Sequence, residues 1–136
     1  MVRLHRVNLT RQQLDRIPEN ERRLLVLIAH AGNELNVFAK LFHFAAGSAS
    51  EEGVLGQAEN AQALVLARTL TGKIYEFWML LRSSFFGPAL SKEYEPQFDE
   101  EARAALQALK RYFGRDNLID TVRNKFAFQK RQRLVL

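Results

Sequence analysis

The chain has no cysteine. That excludes disulfides, thiolate nucleophiles and cysteine-ligated zinc, and it fits a reducing compartment. Proline occurs only three times, at Pro18, Pro88 and Pro96, all where helices begin or are separated. No β-alternation, internal repeat or low-complexity segment is present, and no phosphate-cradling glycine loop, zinc signature or hydrolase elbow. The N-terminus lacks the continuous apolar stretch of a signal peptide. No later segment is expected to supply the roughly 20 apolar residues of a membrane span. The expected address is the cytoplasm, with no membrane partner.

Acidic residues are missing from the carboxyl end. Arg123 to Leu136 holds five basic residues (Arg123, Lys125, Lys130, Arg131 and Arg133) and no acid, while residues 1 to 122 hold 15 of each sign. The net charge of +5 therefore lies wholly in the last 14 residues. Such a cluster attracts phosphates by Coulombic steering and counterion release. A solvated basic tail has the same composition. At 136 residues the chain is expected to form one helical domain over 1–128, followed by a basic tail over 129–136.

Helical periodicity dominates the rest. Ile17-Pro18-Glu19-Asn20-Glu21 reads as a helix start, with proline in the first turn and acids at the positive end of the dipole. Leu24, Leu27, Ile28, Ala31, Leu35, Phe38, Phe42 and Ala45 recur at steps of three and four to about Ala46. Leu25, Val37, Leu41 and Phe44 widen the stripe, as in a central bundle helix or one that buries a second side against another subunit. Gly47 to Ser50 interrupts, with Ser50 as a cap for a second long helix over 51–84. Its middle, Ala61 to Ala67, is apolar except for Gln62 and is expected to be deeply buried. Gly72 costs about 1 kcal/mol of helix propensity against alanine, which predicts close approach of a neighbouring helix. Residues 87–98 read as a long connection with an irregular turn. Asp99 opens a third helix, with Ala102, Ala105, Leu106, Leu109 and Phe113 as its buried side and Gly114 as its stop. Asp116 is expected to cap a fourth helix of Leu118, Ile119, Val122 and Phe126. The fold class is all-α: a four-helix bundle of two long central and two shorter C-terminal helices.

Arg123-Asn124-Lys125-Phe126-Ala127-Phe128, followed by Gln129, is the stretch that points to chemistry. A guanidinium offers a fork of donors to phosphate oxygens and stays charged. Exposed arginines and asparagines are also common without a role. The stretch, late in a helical chain, resembles the motif of the HEPN (higher eukaryote and prokaryote nucleotide-binding) superfamily. Many of its members carry Arg, often Asn, then His after four to six residues. That resemblance implies a helical bundle and metal-independent RNA cleavage, without a cofactor, at a site where two subunits meet. Arg123 matches the phosphate contact, Asn124 the polar neighbour, and Gln129 stands at the histidine position. Glutamine orients by hydrogen bonding but does not titrate, so cleavage is expected to be impaired or absent. Lys125, Lys130 and Arg131 would add cationic contacts, and Glu76 is a candidate acidic partner from an earlier helix. The implied partners are a second copy, RNA and, for a toxin or defence ancestor, an antitoxin-like protein.

Other clusters carry less. His30 and Glu34, at i and i+4, read as a polar contact on a helix flank. His43 is too far along to complete a metal site. Trp78, Phe77, Phe85 and Phe86 read as core. The competing class is a dimeric helical scaffold or interaction module without catalysis, motivated by the apolar belt on the first two helices.

Overall fold

The computed structural model describes residues 6, 8–48 and 53–127. Among them the chain is all-α, with six α-helices and no strand. Helix α1 (Arg11–Asp15) starts from a capping box. Gln13 N donates to Thr10 Oγ1 at 3.2 Å and Thr10 N donates to Gln13 Oε1 at 2.9 Å. Helix α2 (Glu19–Ser48) begins after Pro18 with Glu19 and Glu21 in its first turn. Arg22 reaches back to Asp15 at 3.2 Å and clasps α1 to it.

Helix α3 (Val54–Leu81) lies antiparallel to α2: Leu24 meets Leu81 in the core, and Glu34 meets Lys73 farther along. It starts at Gly53, whose φ of 106° suits glycine. The expected cap Ser50 lies outside the described residues. The helical path runs past the expected end near Ser84, because a π-helical segment (Arg82–Phe86) carries it through both phenylalanines to Gly87. Residues 87–98 hold more order than expected: α4 (Leu90–Tyr94) and a 3-10 turn (Glu95–Gln97).

Helix α5 (Glu100–Phe113) is capped by Asp99, which accepts from Ala102 N at 2.8 Å, and ends at Gly114. A Cβ on Gly114 would sit 2.8 Å from the Lys110 carbonyl oxygen, so the stop requires glycine. Helix α6 (Leu118–Val122) is capped by Asn117 and not by Asp116. Asn117 is buried; its Oδ1 accepts from Asp120 N at 2.9 Å and its Nδ2 donates to Asp120 Oδ2 at 2.8 Å. An aspartate there could make only the first bond.

The core is gathered at one end of the α2–α3 hairpin. Leu24, Leu81, Phe85, Leu90 and Leu106 form it, with Ile28, Phe77, Trp78, Tyr94, Phe98 and Leu109 packed around them. Trp78 stacks on Phe113 at 4.8 Å between ring centroids. Lys110 ties α5 down through Glu95 at 2.8 Å while its ammonium lies 4.9 Å from the Phe86 ring centroid.

Three burial expectations are overturned. Leu64 and Val65, in the stretch expected to be deepest, are 65% and 59% exposed. Residues 54–70 have α2 on one side, and the core lies beyond them. Ala102 and Ala105 are exposed, so the buried side of α5 reduces to Leu106, Leu109 and Phe113. Gly72 has no atom within 4 Å of where a Cβ would stand, so no neighbouring helix explains it. The absence of a membrane-length helix is corrected as well. Residues Glu19–Gly47 are long and apolar enough, because alanine, valine and leucine outweigh the scattered charges.

Candidate functional site

At Arg123 the helix α6 widens into a π-helical segment (Arg123–Ala127), in which backbone bonds reach one residue farther than in an α-helix. Single π turns recur at functional positions because they re-aim side chains out of the α register. The guanidinium of Arg123 lies over the Tyr75 ring, 4.1 Å from its centroid. Arg123 is half-buried, and Asn124 and Lys125 are exposed. The seat is built by α3, whose Tyr75 precedes Trp78 by three residues; Trp78 in turn is held by Phe113. Stacking of this kind contributes about 0.5–1 kcal/mol at an exposed site. Gln129, Lys130 and Arg131 lie outside the described residues.

Glu76 is drawn elsewhere. It is exposed and pairs with Lys73 at 3.1 Å. Lys73 also meets Glu34 at 3.2 Å, and His30 completes the cluster 3.9 Å from Glu34. Hydrogen bonds to Glu76 and then Glu34 hold the Lys73 ammonium above its ordinary pKa. The His30–Glu34 pair is therefore part of a polar ladder across α2 and α3. Among the described residues no group of three or more His, Asp or Glu could hold a metal ion. His43 leans on Phe44, with ring centroids 6.5 Å apart.

A groove of about 560 Å³ opens beside the core, lined by Leu24, Leu25, Ile28, Phe85 and Phe98, with Tyr94 and Glu21 at its edge. Tyr94 donates its hydroxyl to Glu21 across 73 residues of sequence. That bond, helped by burial, pushes the Tyr94 pKa up to about 12. Tyr94 falls in the 87–98 connection, where no periodicity announces a partner. Comparison with known protein families, with characterised proteins and with solved structures finds no match.

Proposed function

We propose that the chain is an HEPN-like helical protein that contacts RNA phosphates through Arg123. In this reading α2 and α3 are the long central helices of a four-helix bundle. Helices α5 and α6 are its shorter members. The ancestry is that of metal-independent endoribonucleases of toxin or defence systems, acting in the cytoplasm as dimers and restrained by an antitoxin-like protein. Cleavage is impaired because Gln129 occupies the histidine position and supplies no proton near neutral pH.

The observation that carries the reading is the seat of Arg123 on Tyr75. A guanidinium held over a ring is oriented before any ligand arrives, which reduces the ordering cost of gripping a phosphate. The exposed Asn124 and Lys125 beside it add a neutral donor and a second cation. Glu76, the candidate acidic partner, pairs with Lys73.

Anisotropy with a labelled single-stranded RNA tests this, alongside cleavage assays in chelator. Wild type is expected to bind with an affinity that falls as salt rises. Arg123→Ala should weaken binding about tenfold or more, the value of one charge-assisted contact. Gln129→His should bring metal-independent cleavage. No RNA affinity in wild type, together with no cleavage by Gln129→His, would refute the assignment.

A further inference from the structure

The half of the hairpin beyond the core keeps one apolar face largely exposed. On α2, Val37, Leu41 and Phe44 follow one another at steps of four and three and are 55%, 45% and 71% exposed. On α3, Val54, Leu55 and Val65 are 84%, 60% and 59% exposed. The Glu34–Lys73 bridge fixes these as one side of the pair. Val37 and Leu41 lie one and two turns beyond Glu34, and Val65 lies two turns back from Lys73. Of the most apolar stretch of α2, only 6% is buried within the molecule. Exposed apolar surface on this scale marks an interaction site.

We infer that this face is covered by a second copy of the chain, the two hairpin ends packing as a four-helix joint about a two-fold axis. At roughly 100 Å² of exposed side chain apiece, the six residues offer about 600 Å² per protomer. The joint then reaches about 1,200 Å², the lower bound for a specific stable interface. In such isologous pairing apolar surface meets its own copy. The His30, Glu34, Lys73 and Glu76 ladder falls at the edge, where interfaces are polar. Lipid is the poorer cover, because that ladder on the same face would have to leave water without new partners.

This inference extends the dimeric part of the reading above and departs from it on one point. Tyr75 stands about 80° around α3 from Val65, so the Arg123 seat flanks the joint and each protomer carries its own cation. The two copies are then joined by their hairpin ends, and neither site needs the other to be complete.

Light scattering of the full chain over a concentration series tests the joint. A dimer that dissociates on dilution is expected. Leu41→Glu and Val65→Glu should raise the dissociation midpoint about a hundredfold, as for a charge buried at an interface centre, with unchanged circular dichroism. Gln107→Glu, on the exposed side of α5, should leave the midpoint unmoved. A monomer at every concentration, or association indifferent to positions 41 and 65, overturns the inference. So does flotation with phosphatidylcholine–phosphatidylglycerol vesicles that Leu41→Glu abolishes. Affinity for an RNA too short to reach both sites should survive in the Leu41→Glu monomer; its loss with the dimer would place Arg123 inside the joint and overturn the placement. A dimeric wild type without RNA affinity leaves the joint standing and removes only the phosphate assignment.

Discussion

Tyr94 and Arg123 each meet a partner from a distant part of the chain. For Tyr94 the sign is fixed by which form the hydrogen bond favours. The neutral phenol donates to Glu21, so the folded chain holds that proton to about 12, above the ordinary value of 10. The bond contributes its full stability below pH 10 and loses it as pH rises toward 12. Urea unfolding at a series of alkaline pH values should therefore fall more steeply for wild type than for Tyr94→Phe in that window. Ultraviolet titration should show one phenolate appearing late, absent from the variant. At Arg123 the sequence identifies the cation and its neighbours but not its seat. Tyr75 lies 48 residues away on another helix, and nothing in local periodicity couples the two. The groove beside Tyr94 is hidden for the same reason, since its lining converges from four separated segments.

Among the elements, those with chemical punctuation are legible. Asp99 and Gly114 bracket α5 because an acceptor and a residue without Cβ are needed at those ends. The α1 capping box is equally explicit in Thr10 and Gln13, though too short a segment follows for periodicity to reveal it. Burial is less legible. Ala61 to Ala67 is apolar by composition, yet composition does not say which side of a helix receives a neighbour. Gly72 follows the same logic in reverse. With open space around its Cβ position, Gly72→Ala should stabilise the chain by about 0.5–1 kcal/mol in urea unfolding. Asn117→Ala should cost about 1–2 kcal/mol, because it removes the α6 cap and the bond to Asp120 together.

As a whole molecule the protein is lopsided. Among the described residues the apolar core sits where α2 begins and α3 ends, while the remainder of both helices packs mainly along their shared seam. Hydrogen exchange at dilutions that favour the monomer should be slowest across residues 75–86 and faster across 37–46 and 54–66. The faster segments should slow as concentration rises and the hairpin ends meet. The same reach acts as a ruler. From Tyr75 to the middle of the exposed α3 patch is about 15 residues, or about 22 Å of helix, so two end-joined copies would hold their arginines about 45 Å apart. An RNA spanning that gap would be gripped twice and a shorter one only once, so affinity should step upward with oligonucleotide length. Two turns inserted at matched positions in both helices should move the step to longer RNA.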